Sequence, residues 1–158
     1  MFLNSLGTVE TEFLLQPSGG TTEYRITQQV VNNTGLAWEG FVFELGFGTG
    51  EAFVRSTLTD ELDFDAPTLD PSPASPAFPF LDAITDSLTW SGATVGCIGS
   101  AAFAFALDVP DGLQTFTLRQ TPVVAAVPVP EPATVALLVL VIAGLALAAH
   151  MGELASRS

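Results

Sequence analysis

The sequence predicts an all-β body, an antiparallel β-sandwich of about seven or eight strands, followed by a single C-terminal transmembrane helix. Three patterns support this fold class. Apolar and polar residues alternate through much of residues 9–120, as they do in half-buried strands. Clusters of Gly, Pro, Asn and Asp separate the alternating runs, as turns do. The stretch from Ala133 to Ala149 carries no charged side chain, and an apolar run of about 18 residues is typical of a membrane helix.

Alternation places the individual strands in order along the body. The turn at 32–35 contains Asn and Gly, which tolerate positive φ, so residues 21–45 are predicted to form a hairpin. Within 94–109, Phe103 and Phe105 alternate with alanines, which indicates a central strand covered on both faces. Residues 59–79 are predicted as a loop rich in Asp and Pro. The predicted strands are 9–15, 21–31, 38–45, 52–58, 86–91, 94–109 and 114–120.

These patterns divide the chain into four segments. Proline lacks a backbone N–H, so the Pro/Val-rich linker is expected to be too stiff for a strand interior. Lipid offers the backbone no hydrogen-bond partner, which requires the apolar run to be helical. At about 1.5 Å per residue, this helix nearly spans a ~30 Å hydrocarbon core. The predicted segments are a passenger domain at 1–120, a linker at 121–132, a transmembrane helix at 133–151 and a short cytoplasmic tail at 152–158.

The residues Val129, Pro130, Glu131 and Pro132 stand directly before the apolar run, near the end of the sequence. This order resembles the PEP-CTERM sorting signal of Gram-negative bacteria. The resemblance implies recognition at Pro-Glu-Pro by an exosortase, a membrane-embedded enzyme similar to cysteine proteases. It also implies export, processing and association with exopolysaccharide or biofilm. The family normally ends in a cluster of arginines, whereas a single arginine, Arg157, follows the predicted helix here.

Four pieces of the body are similar to a recurrent passenger type of PEP-CTERM proteins, from which no enzymatic function carries over. They are 31–35, 38–41, 62–65 and 116–120. The resemblance implies a bacterial cell-envelope protein, anchored in the membrane before processing and open to release outside the cell. The body is then expected outside the cytoplasm and Ser158 inside. Residues 1–6 lack the basic and apolar regions of a signal peptide, so we expect an export signal to precede the present sequence.

The charge and the scarcity of reactive side chains exclude two function classes. Lys and Arg number 4 against 17 Asp and Glu, for a net charge of −13, so no basic stripe can neutralise nucleic-acid phosphates. The single histidine, His150, lies at the edge of the predicted helix. The body therefore lacks a Ser-His or Cys-His pair, and the chain is predicted not to be an enzyme. The lone Cys97 is predicted as a small buried hydrophobe.

A calcium site is one alternative function of the body. The loop at 59–79 contains Asp60, Asp63, Asp65 and Asp70. Carboxylates are hard oxygen ligands of the kind that Ca²⁺ prefers, so these four are candidate ligands. They do not follow the EF-hand spacing, and a solvated acidic loop explains them as well.

A carbohydrate-binding face is the other alternative, with exopolysaccharide as the partner. Trp38 is out of phase with the apolar Phe41 and Phe43, so in a regular strand without a bulge its ring would face outward. Exposed tryptophan rings offer sugars a flat apolar face with a polar edge. A β-bulge at Gly40 would reverse that phase and bury the ring in the core instead.

Overall fold

The computed structural model of the chain describes residues 1–16, 18–65 and 69–125. The contacts within Met1–Ala125 define one structural unit, which we call the β body. No helix in the described part of the chain is long and apolar enough to cross a bilayer. The helix predicted at 133–151 lies outside the described residues. The strands are β1 (Phe2–Leu3), β2 (Val9–Leu14), β3 (Thr22–Asn32), β4 (Trp38–Phe47), β5 (Val54–Arg55), β6 (Phe80–Ile84), β7 (Ser87–Val95), β8 (Ser100–Val109) and β9 (Thr115–Val124).

The strands form two sheets, one of three strands and one of six. The smaller sheet has the order β1-β3-β8, and the larger has the order β2-β9-β4-β7-β6, with β5 paired to β4. All pairs are antiparallel except the short parallel pair of β1 with β3. The predicted hairpin over 21–45 is wrong, because β3 pairs with β8 while β4 pairs with β7 and β9. The connection at 33–37 crosses from one sheet to the other.

Aromatic side chains join the two sheets into one core. The ring of Phe103 in β8 lies 4.9 Å from Phe41 and 5.0 Å from Phe43, both in β4 of the larger sheet. Trp90 in β7 lies 5.1 Å from the same ring. Tilted and edge-on ring pairs at these separations are favourable beyond the area that they bury. The inner faces of the two sheets therefore pack directly against each other.

The long connection at 56–79 is part of this core, although its sequence is acidic and rich in proline. Leu62, Phe64 and Phe78 are buried among the residues of the hydrophobic core. Backbone pairing of Asp63 with Asp108 and of Ala74 with Ala104 places the connection along β8. An unpaired strand edge invites pairing with another chain, so this covering protects the smaller sheet.

Two strands differ from their predicted extent because of their surroundings. β9 continues past the predicted end at Gln120 to Val124, and Pro122 is buried inside it. Its neighbour β2 ends its pairing at Val9 opposite Gln120, so beyond that point β9 has an open edge that tolerates proline. The single strand predicted over 94–109 is two strands, separated by the turn at 96–99.

Two further strand predictions were incomplete. The predicted strand at 52–58 is reduced to β5, because residues 50–52 form a short 3-10 helix. β6 was not predicted, since it directly follows the proline-rich stretch. The outer face of β8 is also less covered than predicted: Ala102 and Ala104 are exposed, although Ala106 is buried.

Candidate functional site

Trp38 does not provide a surface for sugar, because its side chain is completely buried. The pairing of β4 with both neighbours shifts register between Trp38 and Gly40, as a β-bulge does. This shift reverses the phase that the sequence suggests and turns the ring inward. The indole N–H donates a hydrogen bond of 3.2 Å to the Thr34 hydroxyl, so its polar edge is satisfied inside the protein. The carbohydrate-binding role predicted for an outward-facing Trp38 is therefore wrong, and the alternative of a bulge at Gly40 that buries the ring is confirmed.

The four predicted calcium ligands are not gathered into one ligand set. Within residues 1–16, 18–65 and 69–125, no group of three or more His, Cys, Asp or Glu side chains is placed to hold a metal ion. The Asp60 carboxylate instead accepts hydrogen bonds from the Ser56 hydroxyl at 2.7 Å and from the Thr57 backbone N–H at 2.8 Å. Partial burial acts to raise the pKa of Asp60, but the hydrogen bonds from Ser56, Thr57 and Leu62 together outweigh it and lower the pKa. Asp65 accepts a hydrogen bond from the backbone N–H of Asp70.

Carboxylates do crowd the place where the long connection meets β8. The backbones of Asp63 and Asp108 exchange two hydrogen bonds, of 3.2 and 2.9 Å. Burial raises the pKa of Asp108, and the negative charges of Asp63, Asp65 and Glu23 raise it further. The folded protein thus binds a proton at Asp108 more readily than the unfolded chain does. The protonated Asp108 therefore contributes to the free energy of unfolding. This contribution is fully present below the pKa of the unfolded chain and is lost as the pH rises through the pKa of the folded protein.

Replacing Asp108 by asparagine is expected to raise the melting temperature at neutral pH by about 2 °C, because it removes one of the repelling charges. The gain should disappear below about pH 3.9, where Asp108 is neutral in both states. Thermal unfolding followed across pH measures both effects. Asp82→Asn removes an equal charge from the exposed part of β6 and is the matched control. A gain that is equal at all pH values would contradict this account.

Asn32, at the end of β3, is fully buried and makes several hydrogen bonds with its side chain. Its side-chain amide donates to the backbone carbonyls of Leu36, Val95 and Gly96 at 2.7, 3.0 and 3.2 Å. Its side-chain oxygen accepts from the Thr34 hydroxyl at 2.8 Å, and that hydroxyl accepts from the Trp38 indole. The conformation of the connection between the sheets therefore depends on Asn32.

The backbone of Asn32 adds hydrogen bonds to the turn at 96–99, and Asn33 extends the network to a third segment. Its N–H donates to the carbonyl of Gly99 at 2.8 Å, and its carbonyl accepts from the N–H of Ile98 at 2.7 Å. The neighbouring Asn33 donates its backbone N–H to the carbonyl of Leu3, the last residue of β1. Its side-chain amide donates to the side-chain oxygen of Asn4, the next residue. Three loops thus meet at one end of the body, which we call the Asn32 end: 4–8, 33–37 and 96–99.

The Asn32 end is uncharged and carries exposed apolar side chains. None of its three loops contains Asp, Glu, Lys or Arg. Ile98 is 84% exposed, Leu36 is 44% exposed and Leu6 is 36% exposed. Cys97 is also exposed, so the prediction that it is buried is wrong. The sequence places it in an apolar run, but the turn between β7 and β8 brings it to the surface.

The opposite end of the body is acidic. The Asp111 carboxylate between β8 and β9 accepts hydrogen bonds from the backbone N–H groups of Ser18, Gly19 and Gly20. The Ser18 bond, followed by those of Gly20 and Gly19, lowers the pKa of Asp111. This carboxylate joins the β8–β9 and β2–β3 loops. The loops that join strands at this end contain Glu51, Asp86 and Asp111, and the connection at 56–79 begins here with Asp60 and Glu61.

The larger sheet presents an exposed aromatic ring that sequence reasoning missed. Phe80 in β6 is 66% exposed and lies over Gly92, where a Cβ atom would overlap the ring. Ser91 pairs with Phe80, and Thr89 pairs with Asp82. Polar residues of β6 and of the adjacent strand β7 therefore flank the Phe80 ring. Four of the five residues from Phe80 to Ile84 are apolar, so no apolar–polar alternation marks this strand in the sequence.

The predicted sorting residues Val129, Pro130, Glu131 and Pro132 lie outside the described residues. So does His150. No family model, curated protein or solved structure matches the chain.

Proposed function

We propose that the chain is an exported, non-enzymatic protein of the bacterial cell envelope or extracellular matrix. Its β body forms a β-sandwich, and a helix at 133–151 anchors it in the membrane until an exosortase acts at Pro-Glu-Pro. The observation that carries this proposal is the run Val129-Pro130-Glu131-Pro132 directly before an uncharged apolar stretch. In the sequence, only Ala126, Val127 and Pro128 stand between the β body and this motif. The motif thus lies close to the end of the β body in the sequence, as is expected of a sorting signal that follows a passenger domain.

Replacing Pro130, Glu131 and Pro132 together by alanine is expected to abolish processing in a host that contains an exosortase. The unprocessed form should remain in the membrane fraction, because the apolar run is retained while its recognition motif is lost. Immunoblots of membrane and culture fractions measure this change. Pro128→Ala, which alters a proline just outside the motif, is the control and should be processed normally. Equal mobility and location of the triple variant and the parent would contradict the sorting role.

A carbohydrate-binding role is a second candidate, and the exposed Phe80 ring favours it. The flat ring lies beside Ser91 and Thr89, whose hydroxyl groups suit hydrogen bonding to sugars. A polysaccharide that binds only the folded state should raise the melting temperature. We expect Phe80→Ala to lose that rise, whereas Ile84→Ala on the same face should keep it.

The same melting experiment tests calcium as an alternative ligand. A rise with Ca²⁺ alone that Phe80→Ala leaves unchanged would favour a site in the acidic connection at 56–79. The absence of any rise with a panel of polysaccharides would contradict carbohydrate binding and leave Phe80 as a structural cover for Gly92.

A further inference from the structure

We propose that the Asn32 end of the β body docks on the surface of the lipid bilayer, with Leu6, Leu36 and Ile98 entering the headgroup region. This inference rests on the membrane anchor of the proposed function and goes beyond it. The anchor alone does not define which end of the body faces lipid. Docking fixes which end of the body faces lipid and which end is displayed.

The position where the chain leaves the body supports this orientation. Trp38 pairs with Val95 in β7 and with Val124 in β9, so the last strand finishes at the Asn32 end. The seven residues 126–132 then connect Ala125 to the apolar run that begins at Ala133. Even fully extended, seven residues span at most about 25 Å. An anchored body therefore stays within reach of the bilayer at this end.

The distribution of charge supports the same orientation. The chain carries 17 acidic residues and a net charge of −13, and bacterial membranes contain anionic lipids that repel such a protein. The loops at 4–8, 33–37 and 96–99 are nevertheless free of charged residues. Glu39 follows the buried Trp38 and lies in β4 rather than in these loops. Turning the uncharged end toward lipid places the acidic loops of the opposite end away from it.

The conformation of Ile98 is the most specific observation. Its φ is 66°, in the left-handed region that a β-branched residue rarely adopts. Glycine or asparagine would adopt this conformation more easily, and either would suit a water-exposed turn better. The chain instead places an isoleucine there with 84% of its surface exposed. An isoleucine at this position is explained if its side chain is buried in apolar surroundings outside the protein, and the lipid interface provides such surroundings.

The Asn32 network makes the docking surface rigid. The backbone of Asn32 is bonded to Ile98 and Gly99, and its side chain is bonded to the carbonyl of Leu36. The backbones that carry these two apolar side chains are therefore held by one buried residue and lose little freedom when the side chains enter the interface. Such preorganisation reduces the entropic cost of binding.

The single cysteine of the chain allows a direct test on the full-length protein. Cys97 is exposed beside Ile98, so a fluorophore attached there reports on lipid contact. The protein is reconstituted into vesicles of phosphatidylethanolamine and phosphatidylglycerol that contain a headgroup-quencher lipid. We expect strong quenching at Cys97 and weak quenching of a label at Gln114→Cys in a Cys97→Ser background, since Gln114 is exposed at the opposite end.

Tethering alone also brings Cys97 near lipid, so a second comparison separates it from docking. Leu36→Glu combined with Ile98→Glu should lower the ratio of docked to free bodies on the order of tenfold, because two charges replace two inserted apolar groups. Leu58→Glu with Ile84→Glu adds the same charges at exposed apolar positions elsewhere and should leave quenching unchanged.

Each outcome of this test has a clear meaning. Equal quenching at Cys97 in the parent and in the Leu36→Glu, Ile98→Glu variant overturns docking while leaving the anchor intact. Failure of the full-length protein to float with vesicles overturns the anchor and docking together. Loss of exosortase processing in cells, with normal flotation and quenching, overturns the sorting role alone.

Discussion

Replacing Asn32 by aspartate is expected to lower the free energy of unfolding by about 3–5 kcal/mol. The carboxylate would face the carbonyl oxygens of Leu36, Val95 and Gly96, to which the amide now donates. One carboxylate oxygen would keep the Thr34 donors, but the other would face these carbonyls without a donor, which is strongly unfavourable for a buried charge. The three carbonyls would lose the Asn32 amide as a donor as well. Because small domains have total stabilities of about 5–15 kcal/mol, such a loss brings the body close to unfolding.

Guanidinium unfolding followed by tryptophan fluorescence measures this effect, since both tryptophans, Trp38 and Trp90, are buried. Asn33→Asp is the matched control, because it makes the same chemical change one residue further along at an exposed position. It should cost less than about 0.5 kcal/mol. The defect of Asn32→Asp should also shrink at acidic pH, where the protonated carboxyl group can donate one hydrogen bond. Equal stabilities of the two variants would show that Asn32 does not hold the loops at 33–37 and 96–99 together.

Replacing Phe64 by alanine is expected to cost about 3–5 kcal/mol, as truncation of a buried aromatic residue usually does. Its side chain is fully buried, and its ring lies 5.5 Å from that of Phe105 in β8. The backbone N–H of Phe64 also donates to Thr85 at 2.9 Å. Loss of the ring should therefore loosen the connection at 56–79 from the edge of β8 and expose that edge.

Chemical unfolding measures the loss of stability, and limited proteolysis shows whether cleavage within 56–79 becomes faster. Local opening of a segment exposes its backbone to proteases before the whole domain unfolds. Leu58→Ala truncates a side chain of the same connection that is 79% exposed, so its effect on both measurements should be small. If Leu58→Ala and Phe64→Ala behave alike, the connection is not part of the core.

Much of the strand content could be predicted from the sequence, because alternation is a local property. β2, β3, β4, β7 and β9 all lie where apolar and polar residues alternate. The pairing of β3 with β8 could not be predicted in this way. It joins residues far apart in the chain, and the turn at 32–35 suits a hairpin as well as a crossing between sheets.

The candidate sites also depend on pairing between distant residues, which local sequence patterns do not reveal. Whether Trp38 faces in or out depends on the register shift before Gly40, which is defined by pairing with two neighbouring strands. The aspartates of the connection look alike in the sequence. In the structure, Asp60 holds a local turn and Asp63 pairs with β8.

The sequence by itself determined the all-β class of the body, its acidity, and the order of motif and apolar run that motivates the sorting proposal. Only the tertiary structure decided which loops meet. Residues 4–8, 33–37 and 96–99 are distant in sequence, and each is unremarkable alone. The buried polar groups of Asn32 are satisfied by the loops at 33–37 and 96–99, and hydrogen bonds of Asn33 add the segment at 3–4. One uncharged, apolar end arises from this meeting, on a protein whose net charge is −13.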